Sequence, residues 1–157
     1  MSMKDFIIHG AMGSPGENWF PYLKSGLEKS GHAVFIPQFP SPPNHSLERW
    51  LEAFSGYGKE VDADSVFVGH SLGCPFIIDW LAATKKGIRG AVFVAPFYGQ
   101  LGLARFDSIN SSFLREINWS QIKRLAPKRA CFISEDDSIV RAPLALAFAG
   151  KISSEKL

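Results

Sequence analysis

Short apolar runs rich in β-branched and aromatic residues alternate with segments of helical spacing along the whole chain. The runs are too uniformly apolar for strands with one face in water, so they predict the buried strands of a parallel sheet. The predicted strands are Phe6–Ile8, Ala33–Ile36, Ser65–Val68, Ala91–Ala95 and Ala130–Ile133. The predicted helices are Trp19–Ser30, Leu47–Phe54, Leu72–Ala83, Trp119–Leu125 and Pro143–Ala149. This alternation predicts an α/β sandwich of three layers, with helices on both faces of the sheet and right-handed crossovers.

Cap and turn residues mark several of the predicted boundaries. Ser46 and Asn118 stand where an N-cap is expected for the second and fourth helices. Gly31 and Gly150 stand where the first and fifth helices are expected to end.

Size and composition predict one globular domain. The chain has 157 residues, of which 46% are hydrophobic and 20% are charged. Lys and Arg number 17 against 15 acids, and this net charge of +2 is too small to indicate a nucleic acid or a membrane as partner. No apolar run approaches the ~20 residues of a membrane span, so a cytoplasmic protein is expected. Two cysteines indicate neither a disulfide framework nor a zinc site, and the sequence indicates no metal and no cofactor.

The strongest chemical signal follows the third predicted strand, where the chain reads Gly69-His70-Ser71-Leu72-Gly73. A G-x-S-x-G pattern between a strand and a helix places its serine on a sharp turn and lifts the hydroxyl clear of the sheet. The flanking glycines avoid collisions with neighbouring backbone. The next helix points its N-terminus at the site, so the Leu72 amide is a candidate oxyanion donor. The pattern predicts Ser71 as a nucleophile.

A glycine-rich loop at residues 9–16 follows the first predicted strand. Such a loop can bring a second backbone N–H close to Ser71 from the neighbouring strand end. The Ala11 amide is the predicted donor, with the Met12 amide as the alternative. A phosphate-binding loop is the competing interpretation, but the spacing matches neither G-x-G-x-x-G nor a P-loop, and a proline removes one amide.

Two acidic residues, Asp136 and Asp137, lie on the loop after the fifth predicted strand. A carboxylate at a strand end can orient an imidazole for base catalysis, and Asp137 is preferred for this role over Asp136. The alternative interpretation is that the pair caps the following helix. The residues alone do not decide between these interpretations.

Several stretches together carry a family resemblance. They are Phe6-Ile7-Ile8-His9-Gly10, Ser14-Pro15, Asn18-Trp19, Trp50-Leu51, Gly69-His70-Ser71-Leu72-Gly73, Val94-Ala95-Pro96-Phe97 and Asp136-Asp137-Ser138-Ile139-Val140. The chain resembles, over nearly its full length, the small serine hydrolases of the α/β-hydrolase superfamily related to retinoblastoma-binding protein 9 and the bacterial YdeN-like proteins. The resemblance implies Ser71 as nucleophile, Asp137 as the acid of a catalytic triad, oxyanion donors at Leu72 and the Ala11 loop, and the strand order 2-1-3-4-5.

The chain departs from that family at its C-terminal end. In the family a last strand and a Gly-His pair follow the acid, and this histidine is the general base. Here the sequence ends at residues 153–157 as that strand begins, so the resemblance implies a single α/β-hydrolase domain at 1–157 truncated at its C-terminus. The backbone of Ala130–Ile133 is then expected to be an unpaired edge.

The four histidines all precede Asp137 in the sequence; they are His9, His32, His45 and His70. Each is expected to be a packing or surface residue. The ring of His70 is expected to point away from the Ser71 hydroxyl, and His45 is the one on a loop mobile enough to approach it.

Large side chains on the predicted loops are candidates for an apolar substrate pocket; they are Met12, Trp19, Phe97 and Tyr98. Each fits a place in the core as well. The leading hypothesis is a serine hydrolase that cleaves a small ester, thioester or amide through an acyl-enzyme on Ser71. The alternative hypothesis is a catalytically inactive binding protein of the same fold, because the histidine of the family's triad is absent from the chain.

Overall fold

The apolar runs form a parallel sheet in the computed structural model, which describes residues 2–156. Its strand order is β2-β1-β3-β4-β5-β6, so the predicted α/β sandwich and the order 2-1-3-4-5 are confirmed. The strands are β1 (Lys4–Ile8), β2 (Ala33–Phe35), β3 (Val66–His70), β4 (Gly90–Val94), β5 (Lys128–Phe132) and β6 (Glu155–Lys156). The helices are α1 (Phe20–Lys29), α2 (Leu47–Phe54), α3 (Gly73–Thr84), α4 (Ala104–Asn110), α5 (Trp119–Leu125) and α6 (Ala142–Ile152).

Alternate residues of β1 belong to two separate hydrophobic clusters, as strand geometry requires. Phe6 and Ile8 join the larger cluster, which also contains the buried side chains of α2, α3, α5 and α6. Ile7 joins a smaller cluster with Phe20 of α1. The sheet therefore separates a thick helical layer from a thin one.

The face that packs against α1 is only partly covered. An apolar groove of about 470 Å³ runs along it, lined by Asp5, Trp19, Leu23, Leu27, Val66, Val68, Val92, Val94 and Phe132. Phe132 of β5 is 47% exposed beside this groove. Within residues 2–156 we find no helix with both the length and the hydropathy that crossing a bilayer requires.

The edge of β5 differs from the prediction. Ala130 pairs with Glu155 and Cys131 pairs with Lys156 of β6, in parallel register. The expectation that the whole Ala130–Ile133 backbone is unpaired was therefore wrong. The cause is Ser153, whose φ of +51° ends α6 and turns the chain back alongside β5.

Helix caps agree with the sequence at three of four positions. The side chains of Ser46 and Asn118 accept the Arg49 and Gln121 amides at 3.2 and 3.1 Å, and Gly31 has a φ of +86° after α1. The predicted helix end at Gly150 was wrong, because α6 continues to Ile152. Ile152 is fully buried, and this burial stabilises one more helical turn.

Candidate active site

Ser71 occupies the sharp turn between β3 and α3. Its φ is +52°, a left-handed conformation that a non-glycine residue seldom adopts and that is concentrated at functional sites. The Ser71 amide donates to the Val94 carbonyl at 3.0 Å, and its carbonyl accepts the Cys74 amide at 2.9 Å. The side chain is half-buried, and its hydroxyl makes no hydrogen bond to any residue within 2–156. The turn thus holds the backbone tightly and leaves the hydroxyl available.

Close backbone packing explains the two glycines around this turn. A Cβ on Gly73 would lie 2.3 Å from the Ile8 carbonyl oxygen, far inside van der Waals contact. A Cβ on Gly69 would lie 2.8 Å from Ile77 Cδ1 and 3.0 Å from the Cys74 nitrogen. The pattern therefore permits α3 to start directly against β1.

The loop after β1 brings further amides to Ser71. The Gly13 amide donates to the Gly10 carbonyl at 3.2 Å and closes a tight turn in which Met12 has a φ of +59°. A Cβ on Gly10 would lie 3.1 Å from Ser71 Cβ, so the loop backbone is in contact with the turn between β3 and α3. The amides of Ala11 and Met12, like that of Leu72, donate to no acceptor among residues 2–156. The three N–H groups therefore remain candidate oxyanion donors.

Asp137 and Asp136 have different surroundings. Asp137 is half-buried, and its Oδ1 accepts the Ile139 and Val140 amides at 2.8 and 2.9 Å. Asp136 is exposed and accepts only the nearby Ser134 hydroxyl at 2.5 Å. Burial lowers the pKa of His70, and the negative charge of Asp137 partly opposes this shift. The carboxylate of Asp137 is the better fixed of the two.

His9 lies beneath the loop and is 1% exposed. Its Nε2 accepts the Phe39 amide at 3.0 Å, so Nδ1 carries the proton and donates to the Gly10 carbonyl at 2.7 Å. Burial lowers the pKa of His9, while the hydrogen bond to Gly10 opposes this effect. His9 is a neutral residue that shapes the loop, with both ring nitrogens occupied.

The other three histidines are also held by packing. His70 lies edge-on against Trp19 and Phe20, and burial lowers its pKa. His45 is packed against Trp50, and burial lowers its pKa too, so the predicted freedom of its loop is not found. His32 contacts Asp5 at the opposite end of the strands. Within residues 2–156, no imidazole hydrogen-bonds the Ser71 hydroxyl or the Asp137 carboxylate.

The four candidate pocket residues lie in different environments. Met12 is 38% exposed beside the candidate oxyanion donors. Trp19 lines the apolar groove next to His70. Phe97 is 1% exposed, and with Tyr98 it lines a cavity of about 240 Å³ between the loop after β4 and α6. Met12 is the one that belongs to the loop in contact with Ser71.

A buried acid was missed by the sequence analysis. Asp79 of α3 is 3% exposed, and its Oδ1 accepts the Tyr98 hydroxyl at 2.6 Å, while its Oδ2 has no partner among residues 2–156. Burial raises the pKa of Asp79 to about 7, and the Tyr98 hydrogen bond and the charge of Arg115 partly oppose the shift. The sequence contains a signal for this buried acid, because Asp79 is the single charged residue in the apolar run of α3.

Sequence comparisons identify the family. The family model for serine hydrolases matches residues 6–157. A protein of Bacillus subtilis (strain 168) described as a hydrolase, YdeN, is 33% identical over 143 residues, which cover 89% of this chain and 74% of the relative. The resemblance drawn from the sequence motifs is therefore confirmed.

Structural comparisons extend the agreement to the fold. The crystal structure of the ydeN gene product from B. subtilis has a TM-score of 0.90 and 28% identity, and the match covers 99% of this chain and 85% of that one. Est1E from Butyrivibrio proteoclasticus with ferulic acid bound has a TM-score of 0.74 at 16% identity, covering 98% and 78%, which shows a common fold. The chain belongs to the serine hydrolase family and is a hydrolase of the α/β-hydrolase fold, similar to YdeN.

Proposed function

We propose that the chain cleaves a small ester, thioester or amide through an acyl-enzyme on Ser71. The left-handed backbone of Ser71 carries this proposal, and it is supported by the Ser71 hydroxyl and the Leu72, Ala11 and Met12 amides, which have no hydrogen-bond partner within residues 2–156. Leu72 and Ala11 supply the oxyanion donors, with Met12 as the alternative to Ala11. Asp137 is the acid that orients and stabilises a protonated base.

Each group has a defined part in the acylation step. Ser71 Oγ forms a bond to the substrate carbonyl carbon, and the electron pair of the carbonyl moves onto its oxygen. The Leu72 and Ala11 N–H groups stabilise that oxyanion. The bond to the leaving group then breaks, and the proton of the Ser71 hydroxyl passes through a base to the leaving group. A water molecule then attacks the carbonyl carbon of the acyl-enzyme. The bond to Ser71 Oγ breaks, Oγ regains its proton, and the carboxylic acid is released.

We expect the transfer of this proton to limit the rate. No imidazole within residues 2–156 contacts the Ser71 hydroxyl, so the base must come from elsewhere. Removing one triad member typically costs ~10⁴–10⁶ in kcat, and the oxyanion hole and substrate binding retain ~10³–10⁴ over water. We expect this 157-residue chain to turn over esters slowly unless a base is added.

Addition of free imidazole tests the proposal. We expect hydrolysis of p-nitrophenyl acetate by the wild-type chain to rise with imidazole concentration beyond the rise measured for Ser71→Ala. Ser25→Ala is the matched control, because Ser25 is an exposed serine on α1. This variant should behave like wild type. Equal rates for wild type and Ser71→Ala at every imidazole concentration contradict the proposal.

A binding function without turnover is the second candidate. It is favoured by the packing of His9, His45 and His70, which leaves the Ser71 hydroxyl without a base among residues 2–156. Hydrolysis that depends on Ser71 excludes this candidate. Binding of an ester that stays intact in imidazole buffer supports it.

A further inference from the structure

Residues 101–110, which we name the bridge segment, lie between the two loops that carry the candidate catalytic groups. The carboxylate of Asp107 accepts the Leu101 amide at 2.6 Å and the Gly102 amide at 3.0 Å. Leu101 is 2% exposed and Asn110 is 3% exposed, so both ends of the segment are anchored in the core. The bridge segment is therefore fixed at both ends.

Arg105 connects the bridge segment to the loop after β1 (residues 9–16), which we name the oxyanion loop. Its Nη2 lies 3.7 Å from the Met12 sulfur. Met12 belongs to the turn whose Gly10 is in contact with Ser71. A thioether is a weak acceptor, so this contact positions the guanidinium group without satisfying its charge.

Arg141 connects the bridge segment to the loop after β5 that carries Asp137, which we name the acid loop. A Cβ on Gly102 would lie 3.5 Å from Arg141 Nη2, and the φ of Gly102 is +77°. Arg141 immediately precedes α6 and follows the turn that Asp137 organises. Arg105 thus contacts the loop that carries Met12, and Arg141 lies beside Gly102 at the start of the same segment.

Neither arginine pairs with a carboxylate in the part of the chain that the structure describes. Both side chains are exposed, and none of the ion pairs among residues 2–156 includes Arg105 or Arg141. The carboxylate of the bridge segment, that of Asp107, is already occupied by two amides. Two planar guanidinium forks are therefore available for a carboxylate or phosphate.

Exposed apolar side chains lie on the same three segments. Met12 and Leu103 are each 38% exposed, and Ile139 is 40% exposed. Met12 belongs to the oxyanion loop, Leu103 to the bridge segment and Ile139 to the acid loop. This combination of apolar side chains and unpaired cations suits a ligand with a short apolar chain and an anionic end.

We propose that Arg105 and Arg141 bind an anionic group of the substrate. The site then prefers an ester or amide whose acyl or leaving group carries a carboxylate or a phosphate at the far end of a short apolar chain. This inference rests on the proposed role of Ser71, but the binding of the anion is measurable without any chemical step.

The binding test uses Ser71→Ala, which removes hydrolysis, and calorimetric titration with three ligands. Monomethyl glutarate and monobutyl phosphate carry the two candidate anions, and dimethyl glutarate is the neutral control. We expect the chain to bind at least one of the anions and the neutral ligand at least about fivefold more weakly. Adding Arg105→Gln or Arg141→Gln should weaken anion binding about fivefold, and high salt should do the same.

Arg124→Gln is the matched control, because Arg124 is an exposed cation on α5 without an ion pair among residues 2–156. It should leave anion binding unchanged. Equal affinity for the neutral and anionic ligands, or an equal loss in Arg124→Gln, overturns the inference.

Protection of the nucleophile links this binding to the site. In the chain with Ser71 intact, the anion that binds should slow labelling of Ser71 by a fluorophosphonate probe, and Arg105→Gln should reduce this protection. Labelling that the bound anion does not slow overturns the inference and leaves the proposed function standing. Anion binding that depends on both arginines, without any labelling of Ser71, supports the anion site and contradicts the proposed function.

Discussion

Replacing Gly73 with alanine should destabilise the fold by about 3 kcal/mol or more, because the added Cβ has no space. It would lie 2.3 Å from the Ile8 carbonyl oxygen and 3.0 Å from the His9 carbonyl oxygen. Both atoms are backbone at the end of β1, so a change of side-chain rotamer cannot relieve the contact. Relief requires α3 to move away from β1, which also moves Ser71 away from the Ala11 loop.

Denaturant unfolding measures this effect, and Gly26→Ala is its control. Gly26 is an exposed residue of α1 with no atom within 4 Å of an added Cβ. Alanine there should stabilise the chain by roughly 0.5–1 kcal/mol through its helix propensity. Gly73→Ala with the stability of wild type is incompatible with the described contact between α3 and β1.

The second large effect is a loss of stability with rising pH that depends on Asp79. The pKa of this carboxyl is about 7 in the folded chain, against an ordinary value of 3.8. The folded state therefore holds the proton more tightly than the unfolded state does. Its contribution is fully present below pH 3.8, falls as the pH rises towards 7, and is absent above that. A shift of this size corresponds to on the order of 4 kcal/mol.

Asp79→Asn isolates this contribution, since an amide keeps an acceptor for the Tyr98 hydroxyl and carries no charge. We expect Asp79→Asn to approach or exceed wild-type stability at pH 8 and to lose that advantage at pH 5. His9, His45 and His70 have lowered pKa values, so they destabilise the fold as the pH falls, but they do so equally in both chains. The measurement is the difference in unfolding free energy between the two chains as a function of pH.

Asp136→Asn provides the control for the general effect of removing an acid, because Asp136 is exposed. It keeps Asp79, so it should retain the loss of stability with rising pH that depends on Asp79. A difference between Asp79→Asn and wild type that does not change with pH contradicts the assignment of Asp79 as a group that titrates near neutral pH.

Local signals made much of the fold predictable. The turn around Ser71 combines an apolar strand, a G-x-S-x-G pattern and an apolar helix within about one β-turn-α unit, so its conformation follows from nearby residues. Ser46 and Asn118 cap their helices for equally local reasons. The strand order required the family resemblance, because hydrophobic periodicity does not specify which strands are neighbours.

Other features depend on contacts between distant parts of the chain. α4 was not predicted, since its seven residues include Asp, Asn and Ser, which are poor helix formers, and Asp107 binds the backbone that precedes the helix. Arg105 meets Met12 across 93 residues of sequence. Asp79 was visible as an acid within an apolar helix, but its pairing with Tyr98 is set by how α3 packs against the loop after β4.

The central claim is that the turn after β3 presents Ser71 as a nucleophile. The most direct measurement is mass spectrometry of the chain after incubation with a fluorophosphonate probe in imidazole buffer, followed by mapping of the labelled peptide. We expect one adduct, on Ser71, that is absent from Ser71→Ala and retained in Ser25→Ala. A wild-type chain that forms no adduct, or an adduct that persists in Ser71→Ala, contradicts it.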